Sequence, residues 1–269
     1  MRNFFKKIFP SGSYTVTVMN IRMIWRQHDI VAFVSIVPVL LCVFIPGLFL
    51  IAACLFPETS GTLSMKLATV YEGNTDNQIL YDMFVRSVTP LLFTVSSVIT
   101  AGFGTICVFV SEKEHRTLEN LMHTPITPKR IFRVKFNAVV INTFLITIVG
   151  AVFISLISIV GCLIMKVDAF FTMNTLVEYL LMVPAAMVLS ILITYLLSRK
   201  MSTVLSSVSG CGYVGFFYVI LYIGEFGGFY SISWRVMLFI SFVNILVDIL
   251  FYRYIIRKIE KDSLYAFGS

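Results

Sequence analysis

Six apolar runs, at about 30–56, 85–110, 136–165, 179–197, 203–223 and 235–256, follow one another with only short polar segments between them. The hydrocarbon core of a bilayer, about 30 Å thick, is crossed by about 20 helical residues, so each run is long enough to span it. Inside hydrocarbon the backbone must satisfy its own donors and acceptors, which leaves the helix as the form for such runs. The expectation is an all-α membrane protein of six transmembrane helices, a single domain over 1–269. The remainder of the 269 residues leaves no room for a sizeable soluble domain. A charged fraction of 13% agrees, since an ordinary globular domain carries about 25%. The first run, with Pro38 and Pro46 inside it, exceeds the apolar core of a signal peptide, so no cleavage is expected.

The net charge of +7 invites a nucleic-acid reading, but the placement of the basic residues gives a different one. If the chain begins inside, Lys66, Arg86, Lys166 and Arg235 are the four Lys and Arg outside and the other 17 of 21 are inside. That asymmetry on short loops is the positive-inside pattern, with both termini cytoplasmic and the bilayer, not nucleic acid, as the partner. Residues 1–29 carry Arg2, Lys6, Lys7, Arg22 and Arg26 beside an apolar set at helical spacing that includes Phe4, Phe5 and Phe9. They read as an interfacial amphipathic segment, although a basic leader that only sets orientation has the same composition.

On the outer side, Pro57 to Asp82 forms an acidic loop, a short turn holds Lys166, Asp168 and Glu178, and Gly224 to Trp234 is a third connection. Arg86 marks the outer edge of the second span, and Pro90 and Pro184 lie in the second and fourth. Ser96, Ser97, Thr100, Ala101 and Gly104, and the small-residue stretch Ser206 to Gly215, predict close helix packing.

The longest charged stretch, Ser111 to Lys135, cannot lie in hydrocarbon, because its nine carboxylates, lysines and arginines would each cost about 2.5 to 3.5 kcal/mol at a bilayer centre. Leu118, Leu121 and Met122 fall at i, i+3 and i+4, flanked by Glu112, Arg116 and Glu119. A charged helix with a short apolar stripe suits docking in a partner's groove, with rim charges setting register. It equally suits a solvated spacer. Thr124-Pro125 ends this helix, and Thr127-Pro128 starts another with Thr127 as N-cap.

No catalytic motif is present. The chain has no G-x-x-x-x-G-K-[ST] to cradle a nucleotide, no H-E-x-x-H and no G-x-S-x-G. His28, His115 and His123 lack metal-ligand spacing, and the five cysteines sit in apolar runs without C-x-x-C, so no catalytic or metal residue is assigned. Asp248 reads as the one acid well inside a span, with Asn244 and Tyr252 on the same helix face. An intramembrane carboxylate points to an ion or proton path, or to a structural acid bonded to Asn244 or Tyr252 or paired with Arg253.

Glu112-Lys113-Glu114, Arg116-Thr117-Leu118-Glu119, Leu121 and Thr124-Pro125 together resemble the E-K-E-x-x-T-L-E-x-L-x-x-T-P loop of ABC-2-type permeases, the membrane subunits of many bacterial ABC exporters. The loop's place between the second and third of six spans matches that family. His115-Arg116 stands where the family often has Arg-Gly, and the sharp motif covers only about 25 residues. The resemblance implies a coupling helix against a separate ATPase subunit, with contact roles for Glu112, Glu114, Arg116, Thr117, Leu118, Glu119, Leu121, Met122, Thr124 and Pro125. It further implies a bacterial plasma membrane, a second permease subunit, identical or not, and ATP and Mg held by the partner ATPase, with no cofactor on this chain. The expected function is a non-catalytic permease subunit exporting hydrophobic or amphipathic cargo, such as an antimicrobial peptide, drug or lipid. A sodium-extruding ABC permease and an ATP-independent secondary transporter using Asp248 are the alternatives.

Overall fold

The computed structural model describes residues 36–55, 76–110, 127–166, 173–198, 203–226 and 233–266. Six helices make up nearly all of these: α1 (36–55), α2 (76–110), α3 (Pro128–Met165), α4 (Met173–Ser198), α5 (Thr203–Phe226) and α6 (Trp234–Ala266). No strand occurs among the described residues. Four helices, α2, α3, α4 and α6, contain stretches long and apolar enough to cross a membrane, while α1 and α5 contribute the shorter apolar stretches Ile36–Ala52 and Val208–Gly224. That is the make-up of a multi-pass membrane protein. The interfacial segment 1–29 and residues 111–126 of the charged stretch lie outside the described residues.

The helices follow from their sequences. Thr127 is extended (φ −64, ψ 139) and Pro128 opens α3. The expected N-cap is met in the backbone only: the Thr127 carbonyl accepts the Arg130 and Ile131 amides at 2.8 and 3.2 Å, and its side chain makes no cap bond. At the other end Lys166 turns left-handed (φ 57) and its amide returns to the Cys162 carbonyl. Proline leaves a consistent trace. Leu40–Phe44, Phe84–Val88 and Glu178–Met182 are wide turns with i to i+5 bonding, and Pro46, Pro90 and Pro184 each follow two residues after one. A proline ring clashes with the carbonyl four residues back, and the wider turn moves that carbonyl aside without ending the helix.

Three boundaries differ from the sequence reading. The helix of the second span begins at Asp76, inside the expected outer loop, and the fourth begins at Met173, so Glu178 lies within it. The sixth helix runs beyond Ile256 to Ala266. In each case a polar or charged residue marked the edge of the apolar run, but hydrogen bonding carries a helix past the point where apolar composition stops.

The helices alternate in direction. Phe49 and Leu50 of α1, Tyr81 and Val85 of α2 and Cys162 of α3 cluster at one end. At the other end Phe109 of α2, Phe132 of α3, Tyr195 of α4 and Ile255 of α6 cluster. This second end, where residues 111–126 join α2 to α3, is the charged end. Through the middle α2 and α4 are the most enclosed; Val98, Met182 and Ala186 pack with Val214 and Tyr218 of α5 and Met237 of α6. Outward faces of α3, α5 and α6 are apolar, including Leu163, Phe216 and Phe239, as hydrocarbon requires.

The small residues serve the packing expected of them. A β-carbon on Gly104 would stand 3.5 Å from Val139 of α3, and one on Gly102 would meet Cys211 of α5. One on Gly210 would lie 2.9 Å from the Thr194 Cα of α4, so the α4 and α5 backbones approach closely there. Ser190 of α4 donates to the Val98 carbonyl of α2 at 2.9 Å, and Gln78 of α2 donates to the Met165 carbonyl at the end of α3, also at 2.9 Å.

Candidate functional site

A row of buried polar groups threads α2, α4, α5 and α6. Glu178, 1% exposed, sits in the wide turn before Pro184. Its Oε1 accepts the Tyr222 hydroxyl of α5 and, at 3.3 Å, the Thr94 hydroxyl of α2. Tyr218, one helical turn from Tyr222, accepts the Asn244 side-chain amide of α6 through its hydroxyl. Asp248 follows Asn244 by one turn, and no hydrogen bond reaches its buried Oδ1 among the described residues. A half-buried ion pair lies near the start of α2, where Arg86 Nε donates to Asp82 Oδ1 at 2.8 Å and Asp82 is wholly enclosed.

Asn244, Asp248 and Tyr252 do share a face of α6, yet each is engaged differently. Asn244 bonds Tyr218 rather than Asp248. Tyr252 packs its ring on Phe132 and Phe136 of α3, with centroids 6.0 and 5.3 Å away. Asp248 is not the one acid within a span: Glu178 and Asp82 are also enclosed in helices whose apolar stretches can cross a membrane. The sequence reading missed Glu178, Asp82, Tyr218 and Tyr222. The i, i+4 spacing of the two tyrosines was the available signal.

At the charged end aromatic rings bind four helices together. Phe109 meets Phe132 at 5.7 Å and Tyr195 at 4.8 Å, and Phe132 meets Tyr195 at 4.9 Å. Lys135, 4% exposed, holds its ammonium 5.8 Å from the Phe109 ring centroid. Beside this plate a cleft of about 630 Å³ opens between α3 and α6, with Lys129 and Arg133 on one wall, Arg253 and Arg257 on the other, and Asp248 deeper. A second groove of about 450 Å³, between α3 and α4, is apolar and bordered by Phe93, Tyr179 and Pro184.

The described residues hold no group of three or more His, Cys, Asp or Glu suited to a metal. The coupling residues Glu112, Glu114, Arg116, Thr117, Leu118, Glu119, Leu121, Met122, Thr124 and Pro125 lie outside the described residues. The described residues are all-helical, and four of their helices are long and apolar enough to cross a membrane, the make-up of a multi-pass membrane protein. The chain matches no known family model, no curated protein and no solved structure.

Proposed function

We propose that the chain is the membrane subunit of an ATP-driven exporter, an ABC-2-type permease with six spans and both termini inside, working as a dimer with two ATPase chains. The observation that carries this beyond the motif is the anchoring of the charged stretch. Phe109 near the end of α2 and Phe132 near the start of α3 pack on each other and on Tyr195 and Ile255. The two helix ends that residues 111–126 connect in sequence are therefore braced at one point, and α2 is the most enclosed helix. A push on that stretch reaches α2 and α3 together and, through Ser190 and Gly210, α4 and α5. Rigid-body movement of helices driven from such a lever is an established route to alternating access. Few charges inside the apolar stretches and the apolar α3–α4 groove support hydrophobic or amphipathic cargo.

The test is co-purification. A chain with a Walker A motif should accompany the wild type and be lost from Leu118→Asp/Leu121→Asp, while the variant keeps its helicity and its elution volume. Retention of the ATPase by that variant would sink the coupling reading.

The second reading, an ion-coupled transporter without ATP, gains from the enclosure of Asp82, Glu178 and Asp248, since ionisable groups inside a membrane bundle mark ion paths by default. The two readings part on one comparison. Charge reversal at Glu112 and Glu119 should abolish transport in the first and spare it in the second, and Asp248→Asn should do the opposite.

A further inference from the structure

The four basic side chains of the cleft between the charged ends of α3 and α6 are used by neither transport reading, and their chemistry is specific. Lys129 and Arg133 face Arg253 and Arg257 across a space of about 630 Å³, and Asp248 is the only carboxylate among its lining residues. Four basic side chains therefore stand against one carboxyl group, which along α6 lies about 7.5 Å deeper than Arg253.

The cleft also stands at a defined level. α3 has 38 residues and α6 has 33, lengths of about 57 and 50 Å. Both exceed the roughly 30 Å of hydrocarbon, and the basic residues of α3 and those of α6 other than Arg235 fall at the same end. Arg133 and Arg257 thus lie at the border of the apolar stretches, with Arg253 about one turn inside that of α6. Phe136, Ile249 and Ile256 line its apolar side, and Ile249 is continuous with the outward apolar face carrying Leu250 and Tyr254. A ligand that fills such a site has an anionic head and an apolar tail that leaves sideways into the membrane. Basic pockets between membrane helices on the cytoplasmic side bind lipid headgroup phosphates in this way. In a phospholipid that head is a phosphodiester, whose negative charge the four basic side chains meet.

We propose that this cleft is a binding site for the phosphodiester headgroup of an anionic phospholipid, held by Lys129, Arg133, Arg253 and Arg257. The proposal rests on the multi-pass membrane reading and not on the ATPase. It is tested with the full chain in nanodiscs of equal phosphatidylglycerol and phosphatidylcholine, followed by mild detergent extraction and mass spectrometry of the retained lipid. Wild type should retain phosphatidylglycerol in preference. Arg133→Gln and Arg257→Gln should each lower that retention about five-fold. Arg130→Gln, an exposed site on the same helix outside the cleft, should leave it unchanged. An equal loss from Arg130→Gln, or no loss from the cleft variants, overturns the site. Displacement of the lipid by millimolar inorganic phosphate shows that the cations take free phosphate, and overturns the headgroup assignment. Retention of no phospholipid at all would count against the membrane reading itself. Unchanged helicity by circular dichroism keeps loss of fold apart from loss of binding.

Discussion

The Oε1 atom of Glu178 accepts from hydroxyls that come from two other helices, which makes its energetics separable. Tyr222→Phe removes one hydroxyl donor from an enclosed carboxylate and should lower stability by about 1 to 3 kcal/mol. Thermal unfolding in detergent measures it, and an unchanged midpoint would show that the hydroxyl is not what holds the acid. Glu178→Gln keeps the shape and an acceptor, so its loss should be smaller than that of Glu178→Ala. Little of this was legible beforehand. A carboxylate at the edge of an apolar run reads as the end of a span, because sequence shows its cost in hydrocarbon and not the Thr94 and Tyr222 hydroxyls that offset it. Asp248 was legible for the opposite reason, since apolar residues surround it on both sides along α6. Its expected partners were not, because Asn244 turns to α5 and Tyr252 to α3.

For the helices, close packing can be told apart from mere smallness. Gly210→Ala puts a β-carbon against the Thr194 backbone and should destabilise, whereas Gly212 has nothing within 4 Å, so Gly212→Ala should be neutral or stabilise by up to about 1 kcal/mol. Midpoints for the two variants that move together would refute the difference. Sequence predicted that the stretch Ser206 to Gly215 packs closely without saying which glycine does it, since that depends on which face of α5 meets α4. The prolines were legible as points of irregularity. That Pro46, Pro90 and Pro184 are each met by a wide turn, with the helix continuing, depends on neighbouring helices holding both halves in line. Thr127-Pro128 needed no such context, and α3 starts there as expected.

For the whole molecule, the alternation of direction and the exclusion of Cys42, Cys107, Cys162 and Cys211 from the surface give a solution-phase check. N-ethylmaleimide should modify one thiol, Cys54, in the folded protein and all five after denaturation. Rapid modification of two or more in the folded state would contradict the packing. The helical class and the apolar stretches of α2, α3, α4 and α6 could be read from the chain alone, because hydrocarbon constrains backbone bonding so tightly. Which helices lie at the centre could not, since all the runs are similarly apolar and only side-chain complementarity ranks them. One layer of the bundle carries a mechanical consequence. Cys42 lies in the wide turn of α1, Val183 follows that of α4, and both pack with Phe93 of α2, shortly beyond Pro90. Three helices are therefore missing a proline donor within the same few ångströms of height. Bending stiffness is lowest where the hydrogen-bond ladder is interrupted. A force delivered at the charged end would then flex α1, α2 and α4 together at this layer, as a sheaf with a common crease, instead of tilting each as a rod.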